Sequence, residues 1–164
     1  MAEETISTAI LTVATIIAAV VLLNAIYPAL YSASGSILSM NSVTVDRMKT
    51  DLKVLTEYPG TDAEGHFSLV VWVKNTGDTV IKESDLGLTD IYLYPGNGVS
   101  TRISRSGDTR YWDYVILGGD GDRDWDPVET LQVTIDYGSP LPAGTAKFRI
   151  VLDNGVYAED TFSW

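Results

Sequence analysis

Hydrophobic and polar positions divide this chain into two regimes. From Ile6 to Leu23 there is no charged residue among Ile, Val, Ala and Leu, and the uncharged run reaches Tyr27 past a single amide, Asn24. Its apolar positions surround the whole circumference of a helix rather than one stripe, which demands lipid or full enclosure. Roughly 20 such residues, rising about 1.5 Å each, cross a hydrocarbon core. Beyond residue 46 the period drops to two. Phe67, Leu69, Val71 and Val73 alternate with Ser68, Val70, Trp72 and Lys74, the pattern of a strand buried well on one face and partly on the other. Similar runs occupy Thr50–Tyr58, Asp90–Tyr94, Ser100–Ser104, Tyr111–Leu117, Thr130–Tyr137, Ala146–Asp153 and Val156–Trp164. Turn residues separate them, at Asn75-Thr76-Gly77-Asp78, Pro95–Gly98, Ser106–Asp108, Gly118–Asp122 and Tyr137–Pro140. Asn154-Gly155 between two alternating runs is the strongest hairpin signal.

The pattern predicts an N-terminal transmembrane or filament α-helix over residues 1–31, a linker over 32–45, and an all-β, immunoglobulin-like sandwich of about eight strands over 46–164. Residues 32–42, rich in Ser, Gly and Ala, suit a helical continuation or a flexible neck equally. Pro28 lacks a backbone donor and should bend or interrupt the helix just past the span. Tyr27 and Tyr31 flank it as interfacial aromatics do. Glu3 and Glu4 suit the positive end of the helix dipole. Ala14 and Ala18, like Thr15 and Ala19, put small residues on one side, which permits close helix packing; alanine's helix propensity explains them equally well.

Three readings of the helix are open: a cleaved signal, a buried core helix, and an uncleaved span or filament helix. No Lys or Arg occurs before Arg47, and the apolar run exceeds the 7–15 residues of a signal peptide. An uncleaved anchor is therefore expected. Beyond residue 45 lie 20 acidic and 11 basic residues, a net charge of 20 − 11 = 9 negative. Such a head is unsuited to nucleic acid, whose binding needs clustered cations. With no cysteine, neither a disulfide framework nor a Cys-based metal site can form.

Catalytic chemistry finds little support. His66 is the one histidine, and no serine sits in a nucleophile-elbow pattern. Metal-ligand spacing occurs once, in Gly118–Pro127, where Asp120, Asp122, Asp124 and Asp126 alternate as oxygens around Ca²⁺ do. The segment departs from the EF-hand pattern, with Trp125 where Gly is needed and Glu129 two places early, and a solvated turn is the competing reading. No Asn-X-Ser/Thr acceptor is present.

An apolar N-terminal helix, a short neck and a β-sandwich head is the plan of archaeal type IV pilin-like proteins. With Arg47–Leu55 as first head strand and Val71-Trp-Val-Lys-Asn-Thr-Gly-Asp-Thr-Val-Ile81, the chain resembles the archaellum accessory proteins of the FlaG/FlaF group, FlaG more than FlaF, within the archaellin superfamily. Lys-Asn-Thr-Gly by itself also suits any exposed hairpin. The resemblance implies a non-enzymatic stator: helix in the cytoplasmic membrane, head outside beneath the surface layer, and partners that are further copies, FlaF-like proteins or surface-layer protein. It leaves a filament-forming archaellin or pilin as alternative, with Glu3 or Glu4 in the pairing role of the pilin glutamate. Archaellins carry a short basic leader that is cleaved, and none is visible here; a mature chain would have lost it. A membrane-anchored enzyme or solute-binding domain is the third class, and no convergent set of reactive residues supports it.

Overall fold

The structure, a computed structural model, describes the backbone of all residues but Met1, Asn97, Asp108 and Pro142. It describes the side chains of all but these and residues 2–4, 37–39 and 41–42. The pairing role expected of Glu3 or Glu4 thus falls outside the described residues, as do the side chains of Ile37 and Leu38.

Residues 1–44 and 45–164 form separate units. Helix α1, Ala2–Lys49, is one uninterrupted element through the Ser/Gly-rich stretch. Pro28 lies inside it, so the expected interruption does not occur; one missing donor costs one ladder bond, and the turns on either side continue. Hydroxyls in the apolar stretch bond back to their own backbone, as Thr12 Oγ1 to the Thr8 carbonyl at 2.7 Å and Thr15 Oγ1 to the Thr12 carbonyl at 2.8 Å. That satisfies them without water. Every described side chain of Thr5–Ser36 is exposed.

The second unit is a sandwich of two antiparallel four-stranded sheets. Its strands are β1 Leu52–Thr61, β2 Phe67–Asn75, β3 Asp90–Pro95, β4 Thr101–Ile103, β5 Tyr111–Leu117, β6 Thr130–Asp136, β7 Thr145–Val151 and β8 Tyr157–Ser163, with a one-turn helix α2, Glu83–Leu86, before β3. The first sheet has the order β1-β2-β6-β5 and the second β4-β3-β7-β8. Burial alternates without exception along β2: Phe67, Leu69, Val71 and Val73 point inward, fully buried, as expected. They meet Leu131, Val133 and Ile135 of β6 and, across the interior, Ile91, Leu93, Phe148 and Ile150 of the second sheet. Phe67 also packs on Phe162 and, with ring centroids 4.6 Å apart, on Trp164. The C-terminal aromatics thereby close one end of the core. A bulge at Leu55 shifts the β1 register between Val54 and Thr56.

Along one side of the sandwich β1 lies against β8. Glu57 of β1, opposite inward-facing Val71, and Asp160 of β8, opposite inward-facing Phe148, bring two carboxylates to this seam. Glu57 Oε1 is covered and has no hydrogen-bond partner. Burial first, and then the negative charge of Asp160, raise the Glu57 pKa above the ordinary carboxylate range. Inward charges on edge strands cost stability but discourage unwanted strand pairing.

Candidate functional site

Three features of the head bear on function. The first is the Asp-rich turn. Trp125 is fully buried and fixes the turn: its backbone pairs with Ile81 (N–O 2.8 and 3.1 Å), and its indole Nε1 donates to the Glu129 carbonyl at 3.1 Å. The aspartates ahead of it then close small loops of their own, the Asp122 N–H donating to Asp120 Oδ1 and the Asp124 N–H to Asp122 Oδ1. Asp120, Asp122 and Asp126 have carboxylate oxygens within 4.8 Å of one another, a set that could coordinate a divalent cation. Asp124, the fourth residue of the expected set, is not among them. Lys82 Nζ donates to its Oδ2 at 2.7 Å and the Glu83 N–H to its Oδ1 at 2.9 Å. These contacts, the Lys82 hydrogen bond foremost, hold the Asp124 carboxyl below its usual pKa. Next to it Arg123 pairs with Glu83 at 3.4 Å.

His66 closes a turn with Asp62, Nδ1 to Oδ2 3.0 Å, while its own N–H donates to Asp62 Oδ1 at 2.7 Å. It is a local structural partner, and no nucleophile accompanies it in these contacts.

The second feature was not legible in the sequence. Rather than lying in an exposed hairpin, Asn75 of the Lys-Asn-Thr-Gly segment is fully buried. Its Nδ2 donates to the carbonyls of Thr79 (2.9 Å) and Trp125 (3.1 Å), and its Oδ1 accepts from the Gly77 N–H at 3.1 Å. The turn so held grips the end of α1: the Thr76 and Gly77 N–H groups donate to the Asp51 carbonyl, and Asp78 N–H to that of Lys49 at 2.7 Å. A Cβ at Gly77 would collide with the Lys49 carbonyl oxygen, so only glycine allows the approach. From the other sheet the Asn154-Gly155 hairpin joins the same end. Arg47 Nε donates to the Asn154 carbonyl at 2.6 Å, and Asn154 Nδ2 to Thr50 Oγ1 at 3.1 Å. One turn from each sheet therefore satisfies or braces the helix C-terminus, where unpaired carbonyls and the negative dipole end welcome donors and cations.

The third feature is the contrast between the two outer sheet faces. On the second sheet the charges neutralise one another, through Arg102 with Asp90, and Lys147 and Arg149 with Glu159. Tyr94 and Tyr157 stack beneath the Arg149 guanidinium. The outer face of the first sheet presents Trp72, Val70, Tyr58 and Val115, with no ion pair among its described residues.

The archaeal-type flagellin profile matches residues 2–162. The chain belongs to the archaeal-type flagellin family. It is a non-enzymatic structural component of the archaeal motility apparatus. An uncharacterised protein of Archaeoglobus fulgidus is 31% identical over the full length of both chains. Among solved structures, the archaellum periplasmic stator protein FlaG of Sulfolobus acidocaldarius is similar at 23% identity, TM-score 0.53, covering 69% of this chain and 99% of that one. The stator complex of FlaF and FlaG from the same organism is similar at 22% identity, TM-score 0.54, over 68% of this chain and 87% of that one. The archaeal flagellum of Methanospirillum hungatei strain JF1 is similar at 16% identity with a TM-score of 0.69, covering 95% of this chain and 90% of that one. At these identities all three speak to fold. The fold match that takes in nearly the whole chain is to the flagellum, and the family shown is that of flagellin, which backs the filament alternative better than the stator expected first.

Proposed function

We propose that the chain is a filament-forming subunit of archaellin type, its N-terminal helices packed together in the shaft and its heads facing outward. The observation that carries this reading is the apolar helix. Thr5–Ser36 is 32 residues long, about 48 Å at roughly 1.5 Å per residue, against a hydrocarbon layer of about 30 Å. A membrane span of about 20 residues accounts for the run up to Tyr27 and leaves the Ser- and Gly-containing end outside the hydrocarbon, whereas a bundle of identical helices packs along the whole length. Before assembly the same helix holds the chain in the cytoplasmic membrane with the head on the extracytoplasmic side. The division into apolar helix 1–31, connector 32–45 and head 46–164 describes the parts of this design, with the connector helical.

A second reading is favoured by the head's likeness to FlaG. In it the chain is a membrane-anchored stator whose head meets FlaF-like or surface-layer protein. Shearing cells and probing with antibody against the head separates the two. Recovery in sheared extracellular filaments supports the filament subunit; retention of all the protein in the membrane pellet supports the stator. We also propose that Asp120, Asp122 and Asp126 take a hard cation such as Ca²⁺ and thereby tie down a turn at the head surface.

A further inference from the structure

We propose that the outer face of the first sheet is a docking surface for the same face of a second copy, related by a two-fold axis. Register places its side chains in rows across β1, β2, β6 and β5. Two middle rows, Thr56-Trp72-Gln132-Val115 and Tyr58-Val70-Thr134-Asp113, hold Trp72, Val115, Tyr58 and Val70, and Leu117 and Tyr111 of β5 end the flanking rows. Val115 is 57% exposed and Tyr58 69%. Large apolar side chains gathered on one uncovered face mark an interaction site, and Trp and Tyr are the residues interfaces favour.

Charges on this face identify the occupant. Lys53 and Lys74 are partners across β1 and β2 at one corner; Asp136 and Asp113 lie on β6 and β5 near the opposite corner. Along β2 the two ends are Lys74 and Ser68, which pairs with Asp136, and six residues at roughly 3.3 Å put them about 20 Å apart. None of the four is in an ion pair among the described residues. A second copy turned about the other diagonal sets its aspartate corner on this lysine corner and its lysines on these aspartates. The face is thus complementary to itself, as an isologous contact requires. It also carries two positive and two negative charges on a head whose net charge is 9 negative, so copies meet here without the repulsion that opposes other approaches. This contact goes beyond the filament reading. A two-fold contact closes on itself and pairs two heads, so it belongs to chains before they enter a shaft, where neighbours repeat by a helical operation instead.

The chain has no cysteine, so single-cysteine variants of the full-length protein in detergent micelles report the contact cleanly. Gln132 lies on the line of the two-fold axis, and Thr161, paired with Lys147 on the outer face of the second sheet, serves as reference. Oxidation should cross-link Gln132→Cys efficiently and Thr161→Cys weakly. In a Gln132→Cys background, Lys74→Glu or Asp113→Lys should each lower cross-linking about tenfold, the scale of a few surface charge pairs turned repulsive. Lys74→Glu with Asp113→Lys should restore it. Circular dichroism confirms that each variant is folded. Equal cross-linking at Gln132 and Thr161, or a double reversal no better than the single ones, overturns the proposal. Because detergent-dispersed protein is used, filament formation or its failure does not affect the result.

Discussion

Asn75 is the side chain on which the junction of helix and sandwich depends, and Asn75→Ala tests that role quantitatively. The substitution deletes three hydrogen bonds in a fully buried site. Each contributes about 1 kcal/mol net, and a buried group left with no partner costs about 1–3 kcal/mol more. That further penalty is limited here. The Gly77 N–H also reaches the Asp51 carbonyl at 3.0 Å, and the Trp125 carbonyl also accepts from the Ile81 N–H at 3.1 Å. The loss should therefore be about 3 kcal/mol, a large share of the 5–15 kcal/mol that usually holds a domain together. In thermal denaturation followed by near-ultraviolet circular dichroism, with the full chain in detergent, Tm should fall by about 10 °C. Asn75→Asp should be worse than Asn75→Ala, since it loses both donations and sets a carboxylate against the Thr79 and Trp125 carbonyls. Thr76→Ala removes only an exposed hydrogen bond to Asp51 and should cost under about 1 kcal/mol. A Tm within 2–3 °C of the parent for Asn75→Ala, or Asn75→Asp milder than Asn75→Ala, would refute the argument.

Val71→Asp should unfold the head by burying an unpaired charge opposite β6, whereas Val70→Asp on the outer face should cost less, and equal urea midpoints would show that the strand faces are misassigned. Glu57→Gln should raise Tm at neutral pH and have no effect in acid. The raised Glu57 pKa means that the folded state binds this proton more tightly than the unfolded chain does, so the stabilisation is present below the ordinary carboxylate range and lost as pH rises through the folded value. Asp124 works in the opposite sense: its stabilising pairing with Lys82 is present above the ordinary range and lost as pH falls through the lowered folded value, so Asp124→Asn should flatten the acid limb of a Tm profile. Millimolar Ca²⁺ should raise Tm in the parent and not in Asp122→Asn, while Asp124→Asn should retain the response; no calcium shift in the parent removes the cation proposal. A fragment from residue 46, which keeps Arg47 and Thr50 against Asn154, should fold by itself, and one from residue 52 should be less stable.

The helix and the strands were legible because each is set by a local period, all-round apolar for the one and alternating for the other. β2 shows this best, since its inward set is visible in seven consecutive letters from Phe67 to Val73. Other features depend on residues far apart in sequence. Asp124 looks like its neighbours until Lys82 is brought to it, and Asn75 looks like a turn residue until Trp125 and Thr79 surround it. The neck could not be decided from propensity, because Ser and Gly are poor helix formers yet do not stop α1 before Lys49. Likewise the opposed corners of Lys53 with Lys74 and Asp113 with Asp136 exist only once register joins β1, β2, β6 and β5.

The central claim is that the N-terminal helix builds a shaft. It is tested most directly by cryo-electron microscopy of the full-length protein after detergent is withdrawn in the absence of lipid. The account predicts helical filaments with a core of packed α1 helices, in which the Ala14 and Ala18 side lies against neighbouring helices and the sandwiches form the outer layer. Filaments held together by heads alone, with helices splayed outside the core, would contradict it, as would particles that never grow beyond dimers.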